Sequence, residues 1–230
     1  MLPKRVRQFI MNLTDKMNED DYKYAQSKLD KQEYECFKSI SKSEQKHSIR
    51  VAREIEKISN LIKKGDNFEN GYKLTNGEIL SEKVVSDSKE YLLKNEENMI
   101  KIGLLHDVGK SRQRINIIDK SIIVILNKLT KGKLAKINLK KIQCYYNHSE
   151  YSYEILKEIY NLDKKMCELD KEVYNSEENS ENIEILEIIK NHHNENYKGN
   201  EHDRGKYGNN EINNNLEYII KFFQGVDDGN

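Results

Sequence analysis

Proline is almost missing from these 230 residues: Pro3 stands alone, and there is no tryptophan. With so few breakers, long helices are favoured over short strands joined by tight turns. Cysteine is scarce as well, and Cys36, Cys144 and Cys167 share no paired spacing. That excludes a disulfide framework and a cysteine-based zinc ribbon, and reduced thiols in a cytoplasm are the expectation. Excess charge of either sign is lacking, since 39 Lys and Arg balance 39 Asp and Glu. The balance argues against electrostatic binding of a nucleic-acid polymer. Long apolar runs are lacking too. The most apolar segment, Ile115 to Leu129, is broken by Asp119, Lys120, Asn127 and Lys128, so neither a bilayer-spanning helix nor a membrane partner is expected. Near the start, Phe9-Ile10-Met11 is too short an apolar run for a signal peptide.

What is present is charge, 34% of the chain, mixed with 36% hydrophobic residues at helical spacing. The length suits one domain with a helical extension. The expected organisation is all-α. Residues 1–43 form charged N-terminal helices packed on a core of residues 44–230, which carries an insertion around 63–95.

Chemistry-bearing residues recur at one kind of place, the inward face or end of an apolar helix. A helix over Ser43 to about Ile62, capped by Ser41 or Ser43 with Glu44 in its first turn, puts Val51, Ile55, Ile58 and Ile62 on one face. His47 lies at the edge of that face, and Arg50 follows one turn on. After a polar loop from Lys63 to Gly77 and a helix around Glu78 to Lys94, a nearly all-round apolar helix runs from about Glu96 into His106-Asp107. A buried imidazole beside a buried carboxylate needs partners, and a metal would satisfy both. Gly109 lets the backbone turn there, and Lys110 is placed for a substrate phosphate.

Ile115 to Thr130 reads as an amphipathic or fully buried helix. Lys128, Lys131, Lys133, Lys136, Lys140 and Lys141 follow with no acid between them. A solvated basic face is the default reading of this run, with an anion-attracting rim as the alternative. His148 sits on the apolar stripe of a helix over Leu139 to Tyr160, and a charged connection follows to Ser180. His192 and His193 end a short helix from Ile183, their rings expected to diverge by about 100°. A second pair, His202-Asp203, falls in a polar loop and is expected to be solvated. In a last helix, Ile212 to Val226, the phase places Asp227 on the buried face and Asp228 off it.

Any one of these side chains alone reads better as a hydrogen-bonded core residue. Together, His47, His106, Asp107, His148, His192, His193 and Asp227 draw five of the six histidines onto inward positions. Imidazole and carboxylate without thiolate suit Fe, Mn, Co, Ni or Zn, and seven ligands exceed what one ion needs. Two ions sharing Asp107 as a bridge would use the set and would suit hydrolysis of phosphate esters.

The order His47, His106-Asp107, Asp227 resembles the HD superfamily of metal-dependent phosphohydrolases. His106-Asp107-Val108-Gly109-Lys110 is similar to the HD-x-G-K form of its HDIG and HD-GYP branches. Asn147-His148-Ser149-Glu150 with Tyr153-Glu154-Ile155-Leu156 is similar to their H-x-x-x-G-x-x-[IL]-L helix, with Ser152 where glycine is usual. Asn191-His192-His193-Asn194 is similar to their HHE step, with Asn194 in place of Glu. Two departures narrow the reading. Ser43 stands where three-metal members carry a Glu, which favours two metals. Tyr197-Lys198-Gly199-Asn200 lacks the proline of a GYP loop, so cyclic-di-GMP specificity is not carried over.

The resemblance implies a helical bundle with the seven ligands around one or, better, two divalent ions, Fe or Mn favoured and Co, Ni, Zn or Mg as further candidates. It implies a hydroxide between the ions attacking phosphorus, with Asp107 and Lys110 catalytic. Lys110, Arg50, Arg112 and Arg114 would bind the phosphate of a small substrate, a nucleotide or cyclic dinucleotide. A catalytically idle metal-binding module is the alternative, and a metal-free bundle with core histidines is a third reading. A homodimer is allowed.

Overall fold

A computed structural model describes residues 16–115, 117–162, 177–194, 197 and 210–229. The expectations for residues 1–15, for most of the connection after Leu162, for His202-Asp203 and for Lys198-Gly199-Asn200 lie outside them.

Among the described residues the chain is helical apart from one small hairpin. Helices α1 (Glu19–Lys28) and α2 (Lys31–Ser39) each begin at a reciprocal capping box, Asn18 with Asp21 and Asp30 with Glu33. Both acids are also buried. Asp21 is paired with Lys46 at 2.6 Å, and Glu33 with Lys101 at 2.9 Å and the Tyr160 hydroxyl at 3.0 Å. Phe37 and Ala25 reach the main core, so these first helices share the apolar centre of the molecule.

Helix α3 (Lys42–Lys63) is capped by Ser41, whose side chain accepts from the Glu44 N–H. It packs along α5 (Glu96–Leu105), and this pair is the spine of the fold. The approach is close because Gly103 has no side chain. A Cβ there would lie 2.9 Å from the Ala52 Cα.

The end of the polar loop expected over Lys63–Gly77 and the start of the helix expected from Glu78 instead form a hairpin, β1 (Tyr72–Lys73) and β2 (Ile79–Leu80), pairing Tyr72 with Leu80. Tyr72, Leu74 and Leu80 are buried, and the Tyr72 hydroxyl donates to buried Glu54. Polar composition hid the three apolar anchors. Helix α4 (Glu82–Lys94) starts at a Ser81 cap, four residues later than expected.

After α5 the chain makes a short 3-10 helix (Val108–Arg112), then α6 (Ile117–Leu129) and a second 3-10 turn (Lys133–Lys136). Helices α7 (Lys140–Ile159), α8 (Glu177–Asn191) and α9 (Asn210–Asp228) complete the bundle. Helix α7 packs on the first 3-10 helix and on α8, and α9 lies against α4. Of the two readings given for α6, amphipathic or fully buried, full burial does not hold: most of its described large apolar side chains face solvent.

Gly103→Ala forces the two central helices apart. It should cost about 2 kcal/mol in urea unfolding, and a loss below about 0.5 kcal/mol would mean the α3–α5 contact is not the rigid spine described.

Candidate metal centre

The seven ligand candidates converge on one pocket. His47 comes from the second turn of α3, His106 and Asp107 from the turn that ends α5, His148 from the middle of α7, His192 and His193 from the turn after α8, and Asp227 from the last turn of α9. Asp107, Asp227, His106, His148 and His192 are buried, His47 is half-buried, and His193 reaches solvent.

His47 Nε2 lies 2.8 Å from Asp227 Oδ1 and 3.9 Å from Asp107 Oδ2. His106 Nε2 lies 3.3 Å from Asp227 Oδ1 and 3.4 Å from Asp107 Oδ2. On the other side, His148 Nε2 lies 3.4 Å from Asp107 Oδ1 and 2.9 Å from His193 Nε2. Asp107 thus turns one oxygen to His47 and His106 and the other to His148. The His192 ring stands between the two groups, its centroid 5.1 Å from that of His106 and 5.5 Å from that of His148. Three overlapping sets have ligand atoms within metal-holding reach: His47, His106 and Asp227; His106, Asp107 and His192; His148, His192 and His193.

The backbone dictates how the imidazoles point. In each of the three buried histidines Nδ1 lies within hydrogen-bond distance of a carbonyl three residues earlier: His106 with Gly103 at 3.0 Å, His148 with Tyr145 at 2.8 Å, His192 with Ile189 at 2.5 Å. A carbonyl accepts only, so Nδ1 carries the proton and the lone pair of a neutral ring sits on Nε2. Those lone pairs face carboxylate oxygens and one another. His106 Nε2, His192 Nε2 and Asp107 Oδ1 are buried without a hydrogen-bond partner. Lone pairs and carboxylate oxygens converging on one buried pocket are the arrangement a proton or a cation relieves, and the Nδ1 bonds are those that orient metal-ligating histidines. The donor set of imidazole and carboxylate fits Fe, Mn, Co, Ni or Zn.

Electrostatics point the same way. Burial opposes a charge on His106, but Asp107 and Asp227 prevail and push its pKa up to about 10. Burial likewise penalises the Asp107 carboxylate, yet Lys110 and His106 hold it well below the usual range. Asp227 is also held low against burial, by His106 and His47. His148 is driven down to about 3 by burial and by Lys110, and His192 is lowered by burial and by His193. The carboxylate side of the pocket attracts positive charge, and the all-histidine side offers neutral nitrogens.

Two residues without an assigned role hold this geometry. Gly109 N–H donates to Ser152 Oγ at 2.8 Å, and that hydroxyl's own proton lies between the His106 and His148 carbonyls at 2.6 and 2.9 Å. Ser152 therefore ties the His-Asp turn to α7. No side chain fits at Gly109, where a Cβ would meet the His148 carbonyl oxygen at 2.1 Å. Glu44, on the His47 face of α3, is buried between Lys110 at 3.2 Å and Lys120 of α6. Burial opposes its charge, but the two lysines bring its pKa down to about 2. Its place in the first turn before His47 was the sequence signal for it.

The expected divergence of His192 and His193 does not occur. Helix α8 stops at Asn191, and in the following turn the ring centroids come within 4.0 Å. Lys110 Nζ is 2.5 Å from Asp107 Oδ2, and burial of the ammonium is outweighed by Asp107 and Glu44, which raise its pKa. Arg114 and Lys110 line a small pocket with Ser39, Ser41, Glu44 and Ile115. Arg112 is paired with Glu154 at 2.7 Å and lies over the Tyr151 ring. Arg50 borders a separate open cleft with Asp21, Lys46, Arg53 and Glu54.

A helical bundle with a buried His and Asp centre defines a class, and the comparison with family models agrees. The HD domain model matches residues 45–221, and the chain belongs to that family, a superfamily of metal-dependent phosphohydrolases. No curated protein and no solved structure matches the chain.

Because Asp107 and Asp227 raise the pKa of His106 where a cation would sit, metal and proton would compete there. Titration calorimetry with Mn²⁺ near pH 7, in buffers of different ionisation enthalpy, should show about one proton released per chain and an affinity that rises with pH. Binding without proton release would contradict a protonated His106.

Proposed function

We propose that this chain is a phosphohydrolase that cleaves a phosphate ester or diester of a nucleotide or cyclic dinucleotide with two divalent metals, Fe or Mn favoured. The observation that carries the reading is the split of Asp107: Oδ2 faces His47 and His106, Oδ1 faces His148. His47, His106, Asp107 and Asp227 would hold one ion, and Asp107, His148, His192 and His193 the other. Such a pair supplies Lewis acidity, which lowers the pKa of water and draws charge from phosphoryl oxygens.

The protein's own groups do the rest. The Nδ1 bonds and the Ser152 bridge keep the imidazoles aimed before substrate arrives, so no reorganisation is needed during reaction. Lys110, held by Asp107 and Glu44, presents a fixed ammonium beside the ligands, where it would neutralise a non-bridging phosphate oxygen. Arg114, next to Lys110 at the small pocket, is placed to extend that contact. Arg112 and Arg50 would reach phosphate only by leaving Glu154 and the α3 cleft respectively.

A second reading, a metal-binding module without turnover, draws on Asn194, which stands in place of the family's Glu and is exposed.

Metal-loaded protein should hydrolyse bis-p-nitrophenyl phosphate or p-nitrophenyl phosphate, and the preferred ester identifies the diesterase or monoesterase branch. His106→Ala and Asp107→Ala should abolish turnover and metal retention. Lys110→Met should keep the metal and lower kcat by about 10²-fold or more. Full metal occupancy without turnover on either ester, across Mn, Fe, Co and Ni, would decide for the idle module.

A further inference from the structure

Helix α6 leaves an apolar face in solvent. Ile118, Ile122, Ile125 and Leu129, spaced four, three and four residues apart, are 69%, 49%, 58% and 73% exposed, with Leu126 beside them. Such spacing puts them on one side of a helix. The other side is anchored. Ile123 sits in a small cluster with Ile115, Leu134, Ile142 and Cys144, Lys120 pairs with Glu44, and Asp119 pairs with Lys141. The orientation of the face is therefore imposed by contacts beneath it. Two further aliphatic residues, Ile137 and Leu139, are exposed in the segment that follows α6.

Basic charge follows it along the chain. Residues 117–141 carry seven lysines and a single acid, Asp119, in a chain whose net charge is zero. Lys128, Lys131, Lys133, Lys136 and Lys140 are exposed and make no ion pair among the described residues. A ridge of aliphatic side chains rimmed by lysine is the pattern of a helix lying in a membrane interface, its apolar face among the acyl chains and its ammonium groups among anionic headgroups.

From this face we infer that α6 and the segment to Lys141 dock the protein peripherally on an anionic lipid bilayer. Two observations favour a bilayer over a protein. The stretch 117–141 has no aromatic residue and no arginine, the types that anchor protein interfaces, whereas lysine is depleted in such interfaces. A second copy of the chain would bring an identical lysine rim against the first, with like charges opposed. No helix of the described residues is long and apolar enough to cross a membrane, and none is needed for surface binding.

The test is co-sedimentation of the full, metal-loaded chain with vesicles of phosphatidylglycerol and phosphatidylcholine, against vesicles of phosphatidylcholine alone. Binding to the anionic vesicles should be at least about tenfold tighter and should fall steeply with added salt. Ile125→Glu and the double change Lys131→Glu/Lys133→Glu should each weaken it about tenfold or more. Both alter exposed side chains, so the melting temperature and ester turnover in the absence of vesicles should stay unchanged. No association with anionic vesicles, or association that Ile125→Glu leaves intact, overturns the inference. A dimer seen in sedimentation equilibrium and broken by Ile125→Glu, with no vesicle binding, gives the face to a second copy and overturns it equally.

Discussion

A buried pocket crowded with carboxylate oxygens and imidazole nitrogens governs this structure. Asp107 and Asp227 are out of water, and the histidines around them have spent their Nδ1 protons on backbone carbonyls. One buried polar atom left without a partner costs about 1–3 kcal/mol. His192 Nε2 and Asp107 Oδ1 together would therefore consume a few kcal/mol, on the order of 2–6, of the roughly 5–15 kcal/mol by which a domain is stable. Such a cost is sustained where a function requires it, and a divalent cation reverses its sign. The neighbouring ion pairs obey the same constraint: Lys110 leans on Asp107, and Glu44 shares Lys110 with the centre and Lys120 with α6.

Around that pocket the scaffold is rigid where it has to be. The His-Asp turn is clamped to α7 through the Ser152 hydroxyl, and the absence of a side chain at Gly109 lets the two backbones meet. Ser152 supplies three hydrogen-bond contacts at this junction, to the Gly109 N–H and to the His106 and His148 carbonyls. Phe223 closes the floor, its ring edge-on to both His106 and His192.

Helical phase made much of this legible. His47, His106, His148 and Asp227 were placed inward from apolar periodicity alone, because α3, α5, α7 and α9 are regular up to the ligand. Phase failed where the helix stopped: α8 ends at Asn191, and past that point the 100° rule says nothing about His192 and His193. Periodicity was also silent about Ser152 and Glu44, whose roles depend on which residues face them across the bundle. On α6 it left two readings open, because an apolar stripe announces a face to be covered without saying by what. The hairpin at Tyr72–Leu80 escaped notice because two-residue strands are too short to show alternation.

The distance in sequence between the ligands has a further consequence. His47 and Asp227 touch across 180 residues, so no local segment carries a usable site. Loop closure on that scale comes late, after the nearby helices have paired. In a zinc finger the ion nucleates a fold from ligands a few residues apart; here an ion can only be captured by a bundle that has already formed. The metal would then act on unfolding more than on folding, as a bolt that slows the opening of a finished structure.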